Sequence, residues 1–342
     1  MFPCVPFAFF APKVWRLIGD RLVGYWLMLP ASFVEWIVGT KFVVSGDLIE
    51  RDAPAIILMN HRTRLDWMFL WNALYKIDPW LLTTEKISLK APLKKIPGAG
   101  WAMGVGAYIF LDRNFESDKG HLADVIQYYK STGNNYQILL FAEGTDRGER
   151  AVSLSDSFAE KNGLPKYEYV LHPRTTGFNF LMDLMKKENY IKYVYDATIA
   201  YKGEIVDTEI KMVKEGIFPE EVHFDFKKYA VNEIGHDSES WLRELWREKE
   251  NRLKLFYEST GRLAPSGDRF VWPIANTGIG YYVGFAFWIF TTFFWIYTVY
   301  QSTISKAYVI AATVFFIVTN NYMGGVDKFF IRHCFTKHVK KD

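Results

Sequence analysis

His61 and Asp66, in the stretch Asn60-His61-Arg62-Thr63-Arg64-Leu65-Asp66, are the residue types of a general base and its orienting acid. An imidazole takes a proton near neutral pH, and a carboxylate on one ring nitrogen leaves the other free to do so. Five helical residues turn the chain by about 500°, so the two would not share a helix face. They meet if His61 lies in a turn and Asp66 in the first turn of a helix. The flanking sequence predicts that handover. Ala55-Ile56-Ile57-Leu58-Met59 is short, apolar and partly β-branched, the pattern of a buried strand. Residues 67–75 read as a buried helix. Open α/β sheets place ligands at the carboxyl ends of their strands. Thr63 to Asp66 also fits a capping box, with Thr63 as N-cap and Asp66 a capping acid only.

Two more strand ends carry polar residues. The apolar run 101–111 ends at Asp112-Arg113, and the planar fork of Arg113 suits a phosphate. A predicted strand over 136–141 ends at Ala142-Glu143-Gly144-Thr145, where Glu143 could hydrogen-bond a substrate hydroxyl and Gly144 would let the backbone approach a ligand. Each has a plainer reading: a surface ion pair for Arg113, a helix-start acid for Glu143, a turn for Gly144. As a set they suggest a base, a phosphate clamp and a hydroxyl-orienting acid around one pocket. Lys86, Lys90 and Lys94 would line one face if residues 85–95 were helical, which Pro92 opposes. Such a stripe could hold anionic headgroups or form a solvated face.

The elements that must position these residues follow from patterning. Amphipathic spacing predicts helices over 117–131 and 237–259, and a threonine-capped helix over 175–188. Residues 191–201 and 221–229 alternate as strands, and 168–171 reads as a short strand closed by His172-Pro173. Residues 41–60 read as strands around a Gly46-Asp47 turn.

The chain has 342 residues, of which 50% are hydrophobic, 18% aromatic and 23% charged. That is rich in apolar residues for a soluble protein and too charged for a bundle of membrane helices, so a folded domain with membrane segments is expected. A net charge of +3 gives no argument for nucleic acid as a partner. Cys4 and Cys334 form no metal or disulfide pattern. Residues 1–12, interrupted by Pro3, Pro6 and Pro12, lack a basic leader and are too short to span. After Lys13, Arg16 and Arg21, the apolar stretch 22–39 holds Pro30 and Glu35 and predicts a proline-bent pair of short helices dipping into one leaflet; a buried core helix is the other reading. Residues 270–305 and 307–325 carry no charge and predict a two-helix transmembrane hairpin. The tail, with Lys328, Arg332, Lys337, Lys340 and Lys341, predicts a cytosolic side, and two spans put residues 41–260 there too. No Gly-x-Ser-x-Gly elbow, Walker loop or His-Glu-x-x-His occurs.

Four ordered blocks now carry a resemblance. Asn60-His61-(four residues)-Asp66, Phe110-Leu111-Asp112-Arg113, Phe141-Ala142-Glu143-Gly144-Thr145 and Val170-Leu171-His172-Pro173 resemble those of the glycerophospholipid (lysophosphatidate) acyltransferase superfamily. Longer runs, among them Glu85-Lys86-Ile87, Phe158-Ala159-Glu160-Lys161-Asn162-Gly163-Leu164 and the stretch from Lys166 through Arg174 to Phe178, resemble its lysocardiolipin acyltransferase branch. The third block usually reads Phe-Pro-Glu-Gly-Thr-Arg; here Ala142 and Asp146 replace the proline and the arginine, which leaves Arg113, Arg147 or Arg174 to bind phosphate.

The resemblance implies an α/β acyltransferase domain, residues 41–262, with a central mixed sheet flanked by helices. Around it would lie a membrane-embedded helical segment (1–40), the hairpin (270–325) and a basic tail (326–342). The start is short for the branch, which implies a further apolar helix ahead of it. The implied reaction moves an acyl group from acyl-CoA to a free hydroxyl of an anionic lysophospholipid: lysocardiolipin, lysophosphatidylglycerol, lysophosphatidylinositol or lysophosphatidate. His61 would be the base and Asp66 its orienter, with Asn60, Arg113, Glu143, Gly144, Thr145 and Arg174 on substrate. Acyl-CoA is then a co-substrate, and no metal or resident cofactor is expected. The bilayer is a partner, and the endoplasmic reticulum membrane the expected location. A CoA-independent transacylase and a non-catalytic membrane scaffold are the competing readings.

Overall fold

The computed structural model describes residues 4–206, 209–263, 265, 270–274 and 278–338. The strands are β1 (Lys41–Gly46), β2 (Ala55–Met59), β3 (Glu85–Lys90), β4 (Ile109–Leu111), β5 (Gln137–Leu140), β6 (Tyr193–Lys202), β7 (Glu221–Ala230) and β8 (Phe270–Val271). The helices are α1 (Phe7–Phe10), α2 (Pro12–Ser32), α3 (Asp66–Ile77), α4 (Leu81–Thr84), α5 (Ala99–Val105), α6 (Phe115–Thr132), α7 (Glu149–Asn162), α8 (Thr175–Lys187), α9 (Glu209–Glu215), α10 (Ser238–Leu255), α11 (Ile279–Gln301), α12 (Thr303–Tyr322) and α13 (Val326–His338). They fall into two compact units.

The unit made of Pro30–Leu81 and Gln137–Thr277 is built on a mixed sheet in the order β5-β2-β6-β7-β1-β8. β2 lies between β5 and β6 and is parallel to both. All five of its side chains are buried, as expected of a strand covered on both faces. β6 and β7 form a long antiparallel ladder, Tyr193 opposite Ala230 through Lys202 opposite Glu221. β1 runs parallel to β7, so the strands on either side of Gly46-Asp47 are not paired with each other. α3 follows β2 with ten of its side chains buried, matching the apolar run that predicted it.

Three sequence expectations fail in this unit, each for a physical reason. Residues 168–171 form no strand, because the N–H groups of Glu168, Tyr169 and Val170 are taken by the Glu250 carboxylate at 2.6, 2.9 and 3.0 Å. Thr175 does not cap α8; it is the first helical residue, and the N-cap position is Arg174, without a side-chain cap. Phe270 and Val271 belong to β8, antiparallel to β1, so the uncharged stretch starts as sheet.

The second unit comprises Met1–Leu29, Leu82–Tyr136 and Gly278–Asp342. Here β3 and β4 pair in parallel. The lysine stripe does not exist: residues 85–90 are strand and 91–95 a short 3-10 turn. Lys86 is buried, its ammonium 2.8 Å from Asp20, whose other oxygen accepts the Tyr136 hydroxyl at 2.6 Å. Arg16 is equally buried, donating to the Val105 carbonyl and lying 3.4 Å from Asp20. A period of two, with Ile87 and Leu89 turned inward, overrides the helical spacing of the lysines. α2 is one helix through Pro30, ended by a π-helical turn, Phe33–Val38, rather than a bent pair.

α11 and α12, of 23 and 20 residues, are the helices among those described that are long and apolar enough to cross a membrane. At 1.5 Å per residue they reach about 30–35 Å, against a hydrocarbon core of about 30 Å. Their surfaces are exposed and aromatic, with Phe290, Phe293, Tyr297 and Tyr300 outward. At their base, Val326 and Phe330 of α13 pack with Ala8, Trp15 and Val105, and Phe316 stacks on Trp101 at 4.9 Å. Lys340 and Lys341, part of the expected basic tail, lie outside the described residues.

Candidate active site

The sheet of the first unit presents His61 at the carboxyl end of β2. Asn60 sets the turn. Its amide accepts from the Ile199 N–H at 2.9 Å and donates to the Ile199 carbonyl at 3.0 Å, so a side chain carries the β2–β6 pairing past the last strand residue. Expected among the substrate contacts, Asn60 is buried with both ends of its amide on β6. His61 then turns out, its ring stacked on Phe141 with centroids 4.0 Å apart and its side chain 12% exposed.

Asp66 is the first residue of α3 and is fully buried. Its Oδ2 lies 3.0 Å from His61 Nδ1. Both carboxylate oxygens are 3.1 Å from the Thr63 N–H, and Oδ1 also accepts from the Thr63 hydroxyl at 3.2 Å and from the Tyr201 hydroxyl. The capping-box reading is half realised. Asp66 reaches back to Thr63 as such an acid would, but the N-cap position is Leu65, and the Thr63 hydroxyl accepts from the Leu65 N–H instead. With its acceptor-only partner on Nδ1, the imidazole carries its proton there and a lone pair on Nε2, which has no hydrogen-bond partner among the described residues.

The loop after β5 is stitched to this turn. The Arg147 N–H donates to the His61 carbonyl at 2.9 Å, and the Arg174 N–H to the Ala142 carbonyl at 2.7 Å. Glu143 points inward rather than into solvent: its Oε1 accepts from the His61 N–H at 3.3 Å and the Trp246 indole at 3.2 Å. Gly144 has φ +77°, and a Cβ there would stand 3.0 Å from Arg174 Cδ and 3.2 Å from its Nε. The close approach that a glycine allows is therefore made by the Arg174 side chain. Thr145 donates to Asp146 at 3.3 Å, and Asp146 lies 3.5 Å from Arg64. Arg147 keeps a buried Nε without a hydrogen-bond partner among the described residues; burial, then the neighbouring Arg62, makes its guanidinium easier to deprotonate than usual. An anion there would relieve both. His172 is held by the Pro165 carbonyl at 2.9 Å and stacked on Tyr167, a loop strut rather than a second base.

Arg113 belongs to the other unit. It is exposed, at the end of β4, with φ +64°. Asp118 braces that unusual backbone, accepting from the N–H groups of Asp112 and Asn114 at 2.9 and 3.1 Å. Strain of this kind, about 1 kcal/mol or more, collects at functional positions.

Sequence reasoning missed Tyr201, Trp246 and Glu250. The last two lie four apart on α10, one gripping Glu143 and the other the loop that leads to Arg174. Lys249 beside them is buried on Asp196 and the Ala197 carbonyl. A helix predicted from its amphipathic spacing, with Trp246 on the apolar side, is thus the clamp behind two loops and β6; the i, i+4 pairing of Trp246 with Glu250 was the available signal.

Burial pushes the Glu143 carboxyl up to about 8, against hydrogen bonds from the Leu171 backbone, Trp246 and the His61 backbone and the charge of Lys249. Below the ordinary value of 4.5 both folded and unfolded chains hold this proton; between there and about 8 only the folded chain does. Stability from this group is therefore lost as pH rises through that window, by on the order of a few kcal/mol. Glu143→Gln keeps an oxygen for both donors and cannot ionise. Melting midpoints of the variant should gain on wild type from pH 5 to pH 8; parallel curves would refute a buried neutral carboxyl.

Residues 41–202 match the acyltransferase family model. The chain is 49% identical over 248 residues to "Lysophosphatidylinositol acyltransferase 10" of Caenorhabditis elegans, covering 72% of this chain and 63% of that protein. It is 45% identical to "Lysocardiolipin acyltransferase 1" of Danio rerio, covering 76% and 67%, and 38% identical to the protein of that name in Mus musculus, covering 95% and 87%. The chain belongs to the glycerophospholipid acyltransferase superfamily, in the group of the lysocardiolipin and lysophosphatidylinositol acyltransferases. It spans less than two thirds of the length of the Caenorhabditis elegans relative.

Proposed function

We propose that this protein transfers an acyl group from acyl-CoA to a free hydroxyl of an anionic lysophospholipid, at the cytosolic face of the endoplasmic reticulum membrane. The observation that carries the reading is the contact of His61 Nδ1 with Asp66 Oδ2 at 3.0 Å, which leaves Nε2 to act as base. The acceptor hydroxyl loses its proton to Nε2 as its oxygen attacks the thioester carbonyl. The tetrahedral intermediate collapses, the C–S bond breaks, and the imidazolium returns the proton to the departing thiolate. A thioester is already activated, so placing the hydroxyl and taking its proton are the main tasks, and neither needs a metal or a covalent acyl-enzyme.

Arg62, Arg147 and Arg174 around the His61 turn support an acceptor that bears phosphate, with Thr145 on the same loop as Arg147. Arg113, at the end of β4, is a separate candidate for binding phosphate. The names of the relatives support acceptors of the lysocardiolipin and lysophosphatidylinositol type. Two apolar helices of spanning length support an integral anchor.

The test is transfer by purified protein from labelled oleoyl-CoA, with lysocardiolipin, lysophosphatidylglycerol, lysophosphatidylinositol, lysophosphatidate and lysophosphatidylcholine offered separately. Label should enter one or more of the anionic acceptors, with one CoA thiol freed per acyl group. Transfer from a diacyl phospholipid without CoA would make it a transacylase. Folded protein that acylates none of them would leave a scaffold.

A further inference from the structure

Tyr201, near the end of β6, is buried, with its ring edge-on to Phe69 at 5.8 Å. Its hydroxyl donates to Asp66 Oδ1, the oxygen that faces away from His61. Its backbone N–H is held by the Tyr257 hydroxyl at 3.1 Å, which fixes the strand end. Burial, then the Asp66 charge, holds the Tyr201 hydroxyl well above the usual phenol range, so it stays a donor at any working pH.

We propose that Tyr201 is a positioning residue for the reaction, acting through Asp66 on His61. The inference rests on His61 serving as the base. A carboxylate turns easily about its last torsion. Here Oδ1 takes two hydroxyls, from Tyr201 and Thr63, while Oδ2 is left facing Nδ1. The two hydroxyls come from different elements, a strand and the turn, so together they fix the carboxylate plane. They also draw negative charge toward Oδ1, away from the imidazole. Without the phenol more charge remains on Oδ2, and His61 keeps its proton to higher pH. The other titratable or charged groups facing the pair are Arg62 of the turn, Glu143 and Arg147 on the β5 loop, Glu143 accepting from the His61 N–H, and Tyr257. Tyr201→Phe changes none of them.

The experiment compares wild type, Tyr201→Phe and, as control, Tyr195→Phe, which removes another buried hydroxyl of β6, one that accepts from the Glu50 N–H. Rates with oleoyl-CoA and the preferred lysolipid are measured across pH, and the low-field Nδ1 proton resonance of His61 is recorded, assigned by its loss in His61→Ala. For Tyr201→Phe, kcat should fall about tenfold, the size of one hydrogen bond to a charged group, with both KM values within about twofold. The acid limb of the profile should move up by about half a pH unit and the resonance downfield; Tyr195→Phe should do neither. An unmoved acid limb and resonance would overturn the proposal, as would a rise in KM alone, which would put Tyr201 on substrate. Should Tyr201→Phe not fold, Thr63→Val removes the second hydroxyl on the same oxygen and should shift limb and resonance the same way by less; no shift would overturn it too. If His61→Ala keeps activity, the base assignment has failed, and the resonance alone still decides whether Tyr201 controls the pair.

Discussion

His61→Ala should lower turnover about a thousandfold or more while the protein keeps its fold. General-base removal of a hydroxyl proton contributes about 10²–10⁴, and no second imidazole among the described residues stands in for it, His172 being locked in its loop. The fold should survive because the turn is held by backbone. The N–H of residue 61 goes to Glu143 and its carbonyl to the Arg147 N–H, bonds that an alanine keeps. What is lost is a partly exposed ring stacked on Phe141. The check is single-turnover product formation beside a melting curve. A loss smaller than tenfold with an unchanged melt would remove His61 from the chemistry.

Asp66→Asn should cost nearly as much, for a reason that can be read from the donors around it. Thr63 and Tyr201 both donate hydroxyl protons to Oδ1. An asparagine must therefore place its carbonyl oxygen there and turn its NH2 toward His61. Nδ1 then becomes the acceptor, and the ring proton moves to Nε2, the nitrogen that must be bare. The wrong tautomer is expected to lower kcat about a thousandfold, with little change in KM. The same geometry makes Asp66→Asn a mild substitution for the fold, since three of the donors remain paired. A variant with kcat within tenfold of wild type would show that Asp66 only braces the Thr63 turn ahead of α3.

The handover from β2 to α3 was legible because a base and an acid five positions apart meet if a turn passes into a first helical turn, and the apolar runs on each side said where. The alternating strands β6 and β7 and the helices α6 and α10 were legible from their periods. Elements set by distant partners were not. The backbone over 168–170 had strand composition, but its donors are taken by Glu250. Lys86, spaced to face solvent, is instead sealed with Asp20 and Tyr136. Glu143 was expected on a substrate hydroxyl, and nothing local says that Trp246 would hold it from behind. Tyr201 carries no motif; only the parallel register of β6 beside β2 brings it to Asp66.

The most direct test of the central claim is a rapid-quench experiment on purified protein with labelled oleoyl-CoA. Acyl-CoA is mixed first alone, then with the preferred lysophospholipid, in wild type and His61→Ala. Direct transfer through a His61 base predicts no labelled protein without acceptor, then labelled phospholipid and free CoA appearing together in wild type and neither in the variant. Label on the wild-type protein before acceptor is added, or equal product from both proteins, would contradict it.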